Sequence, residues 1–361
     1  MEYKIPLFWP YITHKTKQAV NDVLDTRWVG QGPKVDEFEK AMGDKFNIRY
    51  PLMTNSGTSA LELAYDLIGI KKGDEVITTP LTCSATNIPL LRRGAKLIFA
   101  DIDDSTLCIS QNSVDKLITD KTKAIVNVNL GGIKNIITTS KNIPIVTDSA
   151  QAIGYTNGDY VIYSFQAIKH FTTGDGGMLC LPNGERYKEA KLKRWFGIDR
   201  DKKRSYDWQA YKEREMTFDI EHLGYKYQPT DISAAMGLAG LKDYDEIIEH
   251  RRTIFNIYKS KLDGLEGIRI VDGEENLCWL ATFLVDDRDQ FSKVLSDAGI
   301  ETNLVQVRND IYNIFGGKRQ DLPFMNRIEH QYISIPIHHK VSFDDALYIV
   351  NAIKKGYHHE N

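Results

Sequence analysis

Between residues 50 and 183 short apolar runs rich in β-branched residues alternate with segments of helical spacing. The runs are DEVITTP, AKLIFADID, KAIVNVNL, IPIVTDSA, YVIYSF and GGMLCLP, several of them apolar on both alternations, as strands buried on two faces must be. This pattern predicts an α/β fold with a mainly parallel sheet, whose ligand lies outside the carboxyl ends of the strands. Upstream, HKTKQAVNDVLDT carries Val20, Val23 and Leu24 at helical spacing, and KVDEFEKAMGDKF carries Phe38 and Met42. Two amphipathic helices are predicted there, joined by the glycine turn WVGQGP and lying over the sheet or a partner subunit. Beyond residue 240, Ile247, Ile248, Phe255, Tyr258 and Leu262 repeat at helical spacing, and the strand-like runs IRIVDG and CWLATFLV follow.

A chain of 361 residues exceeds what one core usually serves, so a large domain over 1–240 and a smaller C-terminal α+β domain over 241–361 are expected. Charge narrows the partners. With 26% charged residues and a net charge of −3, the chain lacks the basic excess of nucleic-acid binding. No apolar stretch approaches membrane length and the start has no secretory pattern, so a cytoplasmic protein is expected. Cys83, Cys108, Cys180 and Cys278 are too scattered for a disulfide framework or a thiolate zinc site. The pairs His338-His339 and His358-His359 do not suggest a metal site, because neighbours on a strand face opposite ways.

Three stretches could carry chemistry. In MTNSGTSALELAYDLIGI a strand end, a polar turn and a helix place Ser56, Gly57 and Thr58 at a helix N-terminus, which suits a phosphate but by itself reads first as an ordinary N-cap. Leu61, Leu63 and Ala64 would face inward. In IPIVTDSAQA the apolar strand delivers Asp148 to the ligand-facing end of the sheet, where a carboxylate needs a cation such as a protonated pyridine nitrogen, or a segment to cap. Gln151 could bond the same ligand or a loop carbonyl. In YSFQAIKHFTTGDGG, Ser164 ends a strand and Lys169 follows among Phe165, Ile168 and Phe171. Apolar surroundings lower an amine's pKa, as a Schiff-base lysine requires, although an isolated loop lysine more often lies along the surface. Together a phosphate turn, an acid for a pyridinium and an activated lysine are the parts of a pyridoxal 5'-phosphate site.

In that order, NSGTSAL, TDSAQA and SFQAIKHFTTGDGG resemble the motifs of the DegT/DnrJ/EryC1/StrS sugar aminotransferases. RWVGQGPKVDEFE, GDEVITTPLTCSATNIPLLRRGAKLIFADID, RWFGIDR, GYKYQPTDISAAMGLAGL and YISIPIH extend the likeness over almost the whole chain. The resemblance implies an aspartate-aminotransferase-like fold (type I), with a large domain, a mainly parallel central sheet and a smaller C-terminal domain. It makes Lys169 the Schiff-base lysine, Asp148 the partner of the pyridine nitrogen and Gln151 a neighbour of the ring hydroxyl. Ser56, Gly57, Thr58 and Ser164 become phosphate ligands, and GYKYQPTD becomes a loop lent to the other subunit of a homodimer with shared active sites. Three positions depart from the pattern: Cys83 where an aromatic residue is common against the ring, Lys226 where asparagine is common, and Asn129 where histidine is frequent. Lys226 would suit the phosphate of the facing subunit as a point charge.

The implied reaction moves an amino group from glutamate to a keto sugar on a nucleotide diphosphate, with a 4-keto-6-deoxyhexose favoured and a keto-cyclitol of the scyllo-inosose type as the alternative. Arg308, Asn309, Asp310 and His338 are the candidate substrate contacts, with Arg308 holding a diphosphate or forming a surface ion pair. One branch of the family removes a sugar hydroxyl and has histidine in place of the lysine; Lys169 argues against it, while His170 beside it is a caution. A cofactor-binding regulatory protein without turnover is a further alternative. A nicotinamide enzyme is disfavoured, since no G-x-G-x-x-G follows an early strand.

Overall fold

Strands that are apolar on both alternations need cover on both faces, and the chain meets that need with one large sheet between helices. A computed structural model describes residues 3–199 and 220–357. His358-His359 and the Arg200 end of RWFGIDR lie outside the described residues. The large sheet consists of β1 (Pro51–Thr54), β2 (Glu75–Thr78), β3 (Lys96–Phe99), β4 (Thr122–Val128), β5 (Ile145–Asp148), β6 (Tyr160–Ser164) and β7 (Gly177–Cys180). Their order is β1-β7-β6-β5-β4-β2-β3. Only β7 runs antiparallel to its neighbours, so the other six strands end on the same edge.

Each expected run supplied a strand, and side-chain alternation divides the sheet into two cores. On one face Tyr160 and Ile162 of β6 join Leu61, Leu63 and Ala64 of α3 (Gly57–Ile68). On the other, Val161 and Tyr163 join Phe38 and Met42 of α2 (Pro33–Phe46). The Phe38 ring meets Phe165 edge-on at 5.3 Å, and both are fully buried. In α1 (His14–Leu24) the expected apolar face holds only in part. Val23 is buried, whereas Leu24 is 53% exposed because the helix ends there and the turn carries it outward.

The other helices over this sheet are α4 (Ser84–Arg92), α5 (Gln111–Leu117), α6 (Gly184–Lys193) and α7 (Asp231–Lys242). Asp231 fastens α2 to α7: its carboxylate accepts from the backbone N–H groups of Gly32, Lys34 and Val35. The expected boundary at residue 240 falls in the last turn of α7. From there α8 (Tyr244–Leu262) spans two cores, since Ile247 and Ile248 pack under the large sheet while Phe255, Tyr258 and Leu262 pack under a second one. That second sheet is antiparallel, in the order β10 (Tyr332–Ile335), β9 (Ala281–Val285), β8 (Ile268–Ile270). It is covered by α9 (Arg288–Asp297) and α11 (Phe343–Gly356), with the short α10 (Pro323–Ile328) leading into β10. Among the described residues no helix is long and apolar enough to cross a membrane.

Candidate active site

Six parallel strands ending on one edge put their following loops side by side, which is where chemistry was expected. Thr54, Gly177 and Ser164 lie in one cross-strand row on β1, β7 and β6. Directly above it the chain turns into α3. Ser56 is the N-cap, its Oγ accepting from the Ser59 N–H at 3.0 Å, so the ordinary capping geometry is present. Gly57 is buried and Thr58 is exposed at the helix N-terminus. A β-carbon on Gly57 would stand 3.1 Å from that of Ser164, and one on Gly177 would overlap the Ser56 carbonyl. Glycine at these two positions therefore lets strand and helix close to backbone contact, leaving helix N–H groups beside the Ser164 hydroxyl.

β5 delivers Asp148, 5% exposed, to the same edge. Its Oδ2 accepts from the Thr86 hydroxyl at 2.7 Å and its Oδ1 from the Ala150 N–H at 3.0 Å. Burial raises its pKa, and those two donors and the charge of Lys169 oppose the rise. Thr86 is in turn braced by Thr82 at 2.8 Å, and its carbonyl accepts from the Tyr65 hydroxyl at 2.9 Å. Gln151 is buried, with Oε1 accepting from the Gly131 N–H at 2.6 Å. Asn129 bonds Ser149 and the Asn135 N–H, a polar brace within the loop layer.

Lys169 is half-buried in the loop after β6. Burial lowers its pKa from 10.5 to about 8, against the opposing pull of Asp148 and Cys83. Cys83 is the exposed N-cap residue of α4. The aromatic ring next to Lys169 comes from elsewhere in the chain: Nζ lies 4.3 Å from the centroid of Trp279. Neither Trp279 nor Thr86 was picked out from the sequence. Thr82, Thr86 and Asn87 are all buried, Thr82 just before α4 and the other two in its first turn. His170 points away from this chemistry, buried with Nε2 donating to the Leu277 carbonyl at 3.1 Å. His170 is thus engaged in packing, whereas Lys169 and Asp148 act on each other electrostatically.

The expected substrate contacts sit differently. Arg308 is fully buried, pairing bidentately with Asp310 at 2.7 and 2.6 Å and reaching Glu329 at 3.0 Å and Asn326 at 2.7 Å. Arg308 does form an ion pair, but a fully buried one and not the surface pair expected, with the guanidinium turned into the protein. Asn309 donates to the Thr82 carbonyl at 2.8 Å and accepts from Asn87 at 2.9 Å, so it clasps the loop that carries Thr86. His338 donates through Nε2 to the Pro6 carbonyl at 2.8 Å and accepts from the Lys340 N–H, so both ring nitrogens are engaged within the chain. It and His339 lie in a turn after β10, not on a strand, so the opposite-faces argument does not apply to them. Lys226 is exposed, its carbonyl accepting from Asn55 near the start of α3.

A family model described as the DegT/DnrJ/EryC1/StrS aminotransferase family matches residues 10–354. GDP-perosamine synthase of Escherichia coli O157:H7 is 30% identical, with 99% of each chain covered. The crystal structure of the sugar aminotransferase CalS13 from Micromonospora echinospora superposes with a TM-score of 0.88 at 30% identity, covering 98% of this chain and 100% of that one. The Streptococcus pneumoniae protein Spr1654 in its PLP form gives a TM-score of 0.87 at 27% identity, with 98% of both chains covered. The chain belongs to the DegT/DnrJ/EryC1/StrS aminotransferase family and has the aspartate-aminotransferase-like fold of type I pyridoxal phosphate enzymes.

Proposed function

We propose that the protein transfers an amino group from glutamate to a keto sugar carried on a nucleotide diphosphate, a 4-keto-6-deoxyhexose in the first instance, using pyridoxal 5'-phosphate. The observation that carries this reading is the convergence of Lys169 and Asp148 beside the glycine-lined N-terminus of α3. The donor set fits the cofactor: helix N–H groups with Ser56, Thr58 and Ser164 suit its phosphate, and the buried Asp148 carboxylate suits a protonated ring nitrogen. When bound, the cofactor supplies an aldehyde for amines and a protonated ring that takes up the electrons left when a Cα proton is removed.

Each residue then has a stated task. Lys169, with its pKa at about 8, is neutral in roughly a tenth of molecules at pH 7, enough for a nucleophile that also carries a proton between two carbon atoms. Asp148 holds the proton on the ring nitrogen, and Thr86 and the Ala150 N–H fix its two oxygens. Gln151, whose oxygen is tied to Gly131, offers its amide N–H₂ to the ring hydroxyl. Cys83 presents a small sulfur where relatives of the family often place a ring. Lys226 is proposed to reach the phosphate of the other subunit in a homodimer. The similarity to GDP-perosamine synthase supports the nucleotide-sugar class.

Lys169→Ala tests the reading. The variant is expected to stay folded, to lose the visible absorbance of the bound cofactor and to lose transamination; continued turnover refutes the assignment. Mass spectrometry of products from a panel of nucleotide-linked keto sugars and an inosose, with glutamate as donor, identifies the acceptor.

A further inference from the structure

The indole of Trp279 touches the lysine loop twice. Its face lies 4.3 Å from Lys169 Nζ, and its Nε1–H donates to the carbonyl of Ile168, the preceding residue, at 3.0 Å. Phe8 stacks on the indole with centroids 5.6 Å apart, and Trp279 is 1% exposed. The segment that brings the ring there is held with unusual care. Cys278 has a φ of 52°, a left-handed conformation that ordinary residues avoid. The Leu277 and Leu280 N–H groups donate to the carbonyls of Gly132 and Gly131, the latter being the residue that also fixes Gln151. A β-carbon on Gly132 would stand 2.8 Å from the Trp279 nitrogen. Two buried ionisable side chains hold the carbonyls of three consecutive residues, His170 that of Leu277 and Arg251 those of Cys278 and Trp279.

We infer that Trp279 is a positioning residue for Lys169, its indole face being the seat on which the amine rests when it is not bound to the cofactor and from which it is aimed back at the aldehyde. The inference rests on the reading of Lys169 as the cofactor-binding amine. An ammonium is attracted to the negative face of an indole, most strongly where water is excluded. The seat therefore favours the charged amine and opposes the apolar cover, which favours the neutral one. The titratable groups bearing on Lys169 are Asp148 at the end of β5 and Cys83 at the start of α4. His170 on its own loop feels both Lys169 and Arg251 of α8.

Trp279→Phe keeps an aromatic face; Trp279→Leu keeps only apolar cover. In cofactor-free protein, reductive methylation with formaldehyde and cyanoborohydride is followed by mass spectrometry of the peptide bearing Lys169. Over about pH 6 to about pH 10 the wild type and Trp279→Phe are expected to share one midpoint, with that of Trp279→Leu about one pH unit lower. An unchanged midpoint in Trp279→Leu makes the ring a mere wall, and a raised midpoint makes it a water shield; either overturns the inference. Should Trp279→Leu fail to fold, the wild type decides by NMR of ¹³C-methylated Lys169, which the indole ring current should displace upfield. A resonance at the ordinary lysine position overturns it equally. None of these readings depends on transamination, whereas failure of wild-type Lys169 to bind pyridoxal phosphate removes the functional reading itself.

Discussion

His338, one of the candidate substrate contacts, is buried with both ring nitrogens engaged by backbone groups. Burial, with Arg251 and His250 nearby, lowers its pKa from 6.5 to about 4, and the bond to the Pro6 carbonyl only partly opposes this. Its folded pKa lies below the unfolded value, so its contribution is complete above pH 6.5 and is lost as pH falls toward 4. Between pH 7 and pH 5 this group alone should remove about 2 kcal/mol of stability. Urea unfolding at the two pH values checks it: the drop should shrink by about that amount in His338→Gln, and an equal drop in both proteins contradicts the assignment. Some partners of the candidate substrate contacts could not be read from the sequence: His338 meets Pro6 across more than 300 residues and Arg308 meets Glu329 across 21, although the pair Arg308 makes with Asp310 is local. Asp148 was legible because it ends an apolar strand, which fixes where it goes, whereas Lys169 lies beyond the end of β6 and was picked out by the apolar and glycine residues around it. Trp279 was not, since its place under Lys169 depends on a left-handed residue and on pairing with a glycine turn far away in the chain.

At the scale of elements, the strands of the large sheet could be read from composition alone, because burial on both faces demands consecutive apolar residues and little else does. Helix ends were less legible: Leu24 has the right spacing yet falls in the last turn of α1 and faces outward. The joint between β7 and α3 makes a sharper prediction. Gly177 faces the Ser56 carbonyl and the Gly57 nitrogen so closely that a methyl group fits only if the helix N-terminus withdraws. Gly177→Ala should cost about 3 kcal/mol by displacing backbone that cannot yield as a side chain would. It should also weaken pyridoxal phosphate binding at least tenfold, because the displaced N–H groups are the proposed phosphate donors. Denaturant midpoints and an absorbance titration measure the two effects, and wild-type values for both would show that the close approach is immaterial.

Across the whole molecule, the two sheets meet at several places and share an apolar cluster that joins Leu81, Ile102 and Val128 to Val271, Leu284 and Tyr332. Residues 277–280 pair with the Gly131-Gly132 turn, and Asn309 donates through its backbone to the Pro80 carbonyl, so the part of the chain after residue 262 braces loops of the large sheet. Among the large apolar side chains that stand exposed are Leu24, Trp28 and Val29, and Phe196, Ile220, Leu223 and Tyr225, with Leu223 95% exposed. These are the residues proposed for the homodimer interface. Sedimentation should give a dimer, and Leu223→Glu should release monomers that lose transamination; an active monomeric wild type contradicts shared sites. The most direct test of the central claim is chemical. Wild-type protein loaded with pyridoxal phosphate, reduced with borohydride and digested, should carry the pyridoxyl phosphate mass on the peptide containing Lys169. Label on another lysine, or on none, contradicts the account.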